Sequence, residues 1–301
     1  FYADVFLCVN WENDGREVSN FCLPGSDKVA SRPQNTHFYF RPGLTWPLRA
    51  RRFAPSPLPS MSIFSVRGYS AFVHEDELLA TLALFNSSCF DYLFKICLGR
   101  FGFPEFIVGI LQKMPWRVPQ GELRRRLQGL ARRAWSLKRS LDTANETSHA
   151  FVLPAEARAK MGAIGVAAIE RELADLQREI DELAFELYGL GAEDRATIEA
   201  STKRAPSDSE DDTSSDDEDA DDEAAVGEGS DALRSWLVGV AFGRFDPRLA
   251  TGERPIPPEP EPFDPLPTRS PGMYPEGEEP ADRPDILVDD EGHPDDLTAR
   301  A

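Results

Sequence analysis

Long hydrophobic runs are missing from this chain of 301 residues. A membrane-spanning helix takes about 18 or more consecutive apolar residues. None occurs, so no transmembrane segment and no membrane partner are expected. The first residues, FYADVFLCVNWE, lack a basic region and a small-residue cleavage site, which argues against a secretory signal peptide. Cysteine and histidine are scarce, with four of each. Cys8, Cys22, Cys89 and Cys97 form no C-x-x-C pair, and His37, His74, His149 and His293 are scattered, so zinc-ligand spacing is absent and no metal is expected. Cys89 and Cys97 lie in an apolar stretch and read as small core residues. A reduced, cytoplasmic protein is the resulting expectation. No phosphate-cradling GxxxxGK[ST] loop occurs, and Gly189-Leu190-Gly191 follows a helical pattern rather than a strand. No Ser-His-Asp or paired-carboxylate arrangement stands out, so no catalytic residue is assigned.

Positive charge is short overall but unevenly placed. The formal net charge is −19. Residues 1–204 hold 26 Lys and Arg against 24 Asp and Glu, a net of +2, whereas 205–301 hold 7 against 28, a net of −21. Within 41–140 the count is 16 basic to 6 acidic, a net of +10. A polyanion would meet a basic centre and be repelled by the last third.

The patterning predicts an α+β chain: an irregular β-rich domain over 1–120, an antiparallel helical pair over 121–195, an acidic disordered linker over 196–231, and a Pro- and acid-rich tail over 232–301. Short apolar runs at Val5–Val9, His37–Phe40 and Ile63–Val66, separated by Gly and Pro, read as strands. One helix is expected near 75–98, with Leu78, Leu82, Phe85, Cys89, Tyr92 and Ile96 on one face and Gly99 as its stop. Phe106–Leu111 reads as a further strand. Heptad seams follow, on Leu123, Leu127, Leu130, Ala134, Leu137 and Leu141, then on Val166, Ile169, Leu173, Leu176, Ile180, Leu183, Leu187 and Leu190. Residues 205–231 carry 13 Asp and Glu with no Lys or Arg, which predicts disorder. Within that stretch, the acidic run 208–223 reads as a soluble linker, with a DNA mimic as the alternative. Residues 232–246 suit one short helix, and 247–301 hold too few apolar residues to bury a core alone. The start at Phe1 and the charged end at Ala301 both read as cuts within a longer chain.

Two features bear on binding. Arg41-Pro42-Gly43-Leu44-Thr45-Trp46-Pro47, followed by Arg49, Arg51 and Arg52, interleaves guanidinium groups with aromatic rings, as phosphate contact and base stacking require. The same residues also fit a Pro-stiffened loop with solvated arginines. Arg124, Arg125, Arg126, Arg132, Arg133, Lys138 and Arg139 lie mostly off the first heptad seam. They form either a phosphate-tracking face or one that pairs with Glu170, Glu172, Asp175, Glu179, Asp181 and Glu182 of the second helix.

Five motifs occur in order: Arg41 to Pro47, Ile63-Phe64-Ser65 with Gly68, Leu82 to Phe90 with Tyr92-Leu93, Val108 to Pro115, and Ile180 to Leu190. Together they resemble the target-recognition half of the large single-chain adenine-specific DNA methyltransferases, the type IIG restriction–modification enzymes and the BREX phage-defence methyltransferases. The resemblance covers about residues 30–195, and 232–295 weakly. It implies recognition of double-stranded DNA for adenine-N6 methylation, in restriction–modification or phage defence. It further implies that S-adenosylmethionine and an Asn-Pro-Pro-aromatic catalytic turn belong to a methyltransferase domain N-terminal to this segment. Neither a glycine-rich cofactor loop nor that turn occurs here, since Pro257-Pro258 follows Ile256. This chain alone is therefore expected to bind no cofactor and transfer no methyl group. By the resemblance, the DNA-facing residues would be Arg41, Thr45, Trp46, Arg49, Arg51, Arg52 and Arg67, with Arg100 and Lys113 contacting phosphate. Asn86, Ser87 and Ser88 would cap or pack a helix. The alternatives are a stand-alone DNA-binding specificity subunit and a helical interaction module with no DNA role.

Overall fold

A computed structural model of the chain describes residues 1–31, 33–65, 68–203, 229–281, 288, 292, 293 and 296. Over these residues the fold is α+β, helices with one small antiparallel sheet. The expected disorder of the acidic linker falls mostly outside the described residues, as does Arg67. Two compact units emerge, each discontinuous in sequence. One comprises Phe1–Ser136, Glu172–Pro206 and Pro260–Leu266, the other Leu137–Arg171, Ser207–Glu259 and Pro267–Ala301.

The first unit begins with a short kinked helix, α1 (Glu12–Ser19). Its sheet has strands β1 (Gly43–Pro47), β2 (Ser56–Leu58) and β3 (Gly68–Ala71) in the order β2-β1-β3. Leu44 and Trp46, two residues apart, are buried, while Thr45 between them is half-buried. This is the side-chain period of a strand. Pro57 sits on an edge strand and Pro47 at a strand end, where a missing N–H costs no ladder bond. Among the described residues, Val5–Val9 and His37–Phe40 form no strand, and neither do Ile63–Ser65. Their apolar side chains pack or lie exposed without a pairing partner. The strands lie instead at the Gly-Leu-Thr-Trp segment and its two neighbours.

Helices α2 (Leu78–Phe85) and α3 (Ser88–Leu98) replace the single helix expected near 75–98. A short 3-10 turn, Glu75–Glu77, precedes them. Asn86 and Ser87 cause the break. The Asn86 amide donates to the Leu82 and Pro55 carbonyls, both at 2.9 Å. Ser87 is extended; its hydroxyl donates to the Leu84 carbonyl at 2.7 Å and accepts from the Phe90 N–H at 3.2 Å. Side chains that satisfy backbone groups in this way stop one helix and cap the next. Gly99 ends α3 in the left-handed region, φ +68°, a conformation glycine adopts without steric cost. Phe106–Leu111 is not a strand: it contains the short helix α4 (Val108–Leu111).

Helix α5 (Gly121–Asp142) follows, then α6 (Ala155–Lys160), α7 (Val166–Tyr188) and α8 (Ala192–Lys203). The boundary between the units falls within α5 and α7. In the first unit, Leu127 and Ala131 of α5 share one apolar core with Ile180, Leu183 and Ala184 of α7 and with the residues of β1, α2 and α3. Phe53 lies at its centre, with the rings of Trp46, Phe94, Phe106, Phe85 and Phe90 at 4.9–5.8 Å.

The second unit has its own core of Phe151, Val152, Leu153, Trp236, Phe245 and Leu249. It includes α9 (Gly229–Ala241) and α10 (Arg248–Thr251). Here part of the Pro-rich tail is bonded to other segments of the same unit. The Gly272 N–H bonds the Phe151 carbonyl at 2.8 Å, and the Asp246 N–H bonds the Gly272 carbonyl at 2.9 Å. A Cβ at Gly272 would lie 2.5 Å from the Val152 carbonyl oxygen, so only glycine permits this approach. Backbone bonds and a close glycine contact replace the apolar side chains the segment lacks. Among the described residues no helix is long and apolar enough to cross a membrane, and no group of His, Cys, Asp and Glu is placed to hold a metal.

Candidate nucleic-acid interface

Side chains from distant segments meet at Asn86. Its carbonyl accepts from the Arg52 guanidinium and from Gln177 Nε2, the latter at 3.1 Å. Gln177 also donates to Asp181 Oδ1, which accepts the Ser88 N–H at 2.7 Å. Trp46 Nε1 donates to the Phe106 carbonyl at 2.8 Å, and the Tyr188 hydroxyl donates to the Pro115 carbonyl at 3.1 Å. Of these bonds, Ser88–Asp181 and Tyr188–Pro115 join residues of different motifs. Burial pushes the Cys89 thiol up to about 12, assisted by the charge of Asp181, so this cysteine stays protonated and is no nucleophile.

Asp181 is itself raised above the ordinary carboxylate value, by burial, against the opposing hydrogen bonds from Ser88 and Gln177 and the charge of Arg52. A carboxyl raised in the folded state favours folding at low pH and loses that contribution as pH rises through its folded value. Asp181→Asn should therefore gain stability relative to the native chain as pH increases from 4 to 8 in urea unfolding. Asp181→Ala, which leaves the Ser88 N–H without its acceptor, should cost about 1–3 kcal/mol at pH 7. A native-to-Asn difference independent of pH would remove Asp181 from this role.

Several residues expected to face DNA are turned to other tasks. Trp46 is 2 % exposed and anchored in the core, so it is no stacking platform. Arg52 is half-buried and bonded to the Asn86 carbonyl, because the helix break leaves that oxygen without an intrahelical partner. Thr45 donates its hydroxyl to the Tyr69 carbonyl at 3.0 Å across the β1–β3 pair. Arg49 is exposed but forks onto Glu105, Nε to Oε1 at 2.9 Å. Arg41, Arg51, Arg100 and Lys113 remain exposed, with no carboxylate partner among the described residues. The Arg41 guanidinium lies 5.4 Å from the centre of the Phe38 ring, which stacks on Phe72 at 4.8 Å. The Arg51 carbonyl accepts from Lys95 Nζ at 2.8 Å, which ties this arginine to the last turn of α3.

The arginines of α5 take the paired form. In the first unit, Arg126 bonds Glu179 at 2.9 Å and Arg133 grips Glu172 at 2.6 and 2.9 Å; the partners follow in opposite order along the two helices. Arg125 bonds Glu122, Arg132 bonds Glu261, and Arg124 lies 4.0 Å from Asp76. In the second unit, buried Arg139 lies 3.8 Å from Glu259. Lys138 is exposed. Such a face is largely neutralised and offers little to phosphate.

Residues 28–74 carry seven basic residues and not one Asp or Glu. This stretch builds the whole sheet. The absence of acid over 47 consecutive residues is a signal legible in the sequence that outweighs the more conspicuous arginines of α5. The sequence reading also passed over Phe101 and Phe103, exposed on the turn after α3. Their Phe-Gly-Phe spacing next to Arg100 was the available cue. The chain matches no protein-family model and no curated protein.

Proposed function

We propose that this chain recognises duplex DNA for site-specific adenine-N6 methylation, in restriction–modification or phage defence. S-adenosylmethionine and the methyl-transfer chemistry would belong to a methyltransferase domain outside it. In this reading the sheet with α2–α4 is the recognition part, and the helical pair α5–α7 is a spacer. The acidic and Pro-rich tail lies beyond them. The observation that carries the reading is the acid-free stretch 28–74, which leaves Arg41 and Arg51 exposed with no carboxylate partner among the described residues; Arg100, just after α3, is likewise exposed. A polyanion fits such a surface. The pairing of the α5 arginines disfavours the helical-face alternative.

The test is equilibrium binding of the full chain to a duplex of about 25 base pairs between 50 and 200 mM salt. The affinity should fall linearly with salt on logarithmic axes. Arg41→Ala, Arg51→Ala and Arg100→Ala should each lower the magnitude of that slope by about 1. Arg125→Ala, which removes a residue paired within α5, should leave it unchanged. Absence of binding at about 50 mM salt, where phosphate contacts are strongest, overturns the reading.

A further inference from the structure

We infer that Phe101 and Phe103, on the turn after α3, stack on bases at an opened or distorted DNA site while Arg51 and Arg100 hold the flanking phosphates. This deepens the proposed function and rests on it.

The turn is fixed at both ends. On one side the Gly99 N–H bonds the Ile96 carbonyl at 3.0 Å and the Arg100 N–H bonds the Lys95 carbonyl at 3.3 Å, closing α3. On the other, Arg49 and Glu105 pair as an isolated antiparallel bridge, and the Phe106 N–H bonds the Leu48 carbonyl at 2.9 Å. Pro104 and Phe106 are buried. Between these anchors only Arg100 to Phe103 project. Phe101 is 48 % exposed and Phe103 51 % exposed. Among the described residues Phe101 has one ring neighbour, Tyr92, at 5.6 Å and 58°. Apart from Phe101 and Phe103 themselves, a Cβ at Gly102 would meet nothing within 4 Å, so no other part of the chain covers the glycine between them.

Charge selects the occupant. Glu105 is held by Arg49, and Asp91 by Lys95 at 2.8 Å. The two carboxylates of α3 and the segment after it are therefore compensated, while Arg51 and Arg100 are exposed with no carboxylate partner among the described residues. Uncompensated guanidinium groups beside open aromatic faces suit a polyanion that also presents π-faces, which is nucleic acid. An intact duplex hides its base faces, and exposing one requires unstacking. A site with an unpaired base removes that requirement, so the turn should favour it.

The experiment compares the full chain on two duplexes of about 25 base pairs, one perfect and one with a single unpaired adenine. The native chain should prefer the bulged duplex by about tenfold. Phe101→Ala/Phe103→Ala should equalise the two affinities with the salt slope unchanged. Arg51→Ala/Arg100→Ala should lower the slope and keep the preference. Both substitutions are at exposed positions, and unchanged thermal unfolding of each variant establishes that the fold is intact. If the native chain binds both duplexes and the phenylalanine variant keeps the native ratio, or if no preference exists at all, the inference is overturned while DNA recognition stands. In that case the rings belong to a protein contact. If the native chain binds neither duplex at about 50 mM salt, the DNA reading itself fails.

Discussion

Replacing Asp246 with alanine should destabilise the second unit by about 3 kcal/mol, measured by urea unfolding at pH 7. The side chain is fully buried. Its carboxylate accepts from Arg248 Nε at 2.9 Å and Nη2 at 2.8 Å, from Arg254 Nη1 at 2.8 Å, and from the Arg248 N–H at 3.0 Å. The same arginines reach on to Glu278 and to the Met273 carbonyl, each at 2.8 Å. Asp246 therefore ties the segment after α9 to the Pro-rich chain that folds back over it. Its loss strands two guanidinium groups. Arg254 is mostly buried, whereas about a third of Arg248 is exposed and can rehydrate, which sets the cost at the low end of the range for a broken buried pair.

The pH dependence provides a second measurement. Burial pushes the Asp246 carboxyl up, but the hydrogen bonds from Arg248 and Arg254 outweigh it and hold the group below its ordinary value of 3.8. A carboxyl depressed in the folded state contributes stability that is complete above its unfolded value and is lost as pH falls through the folded one. The gap between the native chain and Asp246→Ala should be constant from pH 7 to pH 5 and should shrink below about pH 4. Asp246→Asn, which keeps the shape and one acceptor, should fall between the two at pH 7. A gap that persists unchanged at pH 3 means that the charge of Asp246 contributes nothing.

Phe53→Ala should cost about 3–5 kcal/mol in the first unit, the range for truncating a fully buried aromatic residue. Five aromatic rings surround it, contributed by β1, α2, α3 and the segment before α4. Its own N–H is also fixed, by Asp91 Oδ1 at 2.8 Å. Rings on several different elements cannot close around the gap together, so the cavity penalty adds to the lost transfer energy. Phe53→Leu, which keeps most of the volume, should cost clearly less. Urea unfolding monitored by the fluorescence of Trp46 reads both variants, because that ring is 5.2 Å from Phe53. A loss below about 1 kcal/mol for the alanine variant would show that this cluster is not the centre of the core.

How far the sequence could be read depended on the range of each interaction. The last turn of α3 was legible because Gly99 acts on its own helix. The apolar seam of α5 was legible because helical period is local. The second seam, Val166 to Leu190, was legible for the same reason and falls on α7; the short helix α6 before it, separated by Met161–Gly165, carried no such seam. The strands were misplaced because aromatic runs such as His37–Phe40 carry the same composition as true strands, and only pairing separates the two. Arg41 to Arg52 read as one binding loop. In the fold it is a strand whose tryptophan is buried, with Arg41 before it and Arg49, Arg51 and Arg52 after it.

By itself the sequence determined the location of net charge, the absence of a long apolar segment, the helix-forming seams, and the acid-free stretch of the sheet, all of which depend on residues close together in the chain. Only the tertiary structure decided which arginines carry uncompensated charge. Arg49, Arg52 and Arg133 meet partners at 105, 86 and 172, distant in sequence, and local pattern is silent about such meetings. The same holds for the turn at 100–103. Its phenylalanines look like core residues until the fold anchors both sides of them and leaves the rings in water.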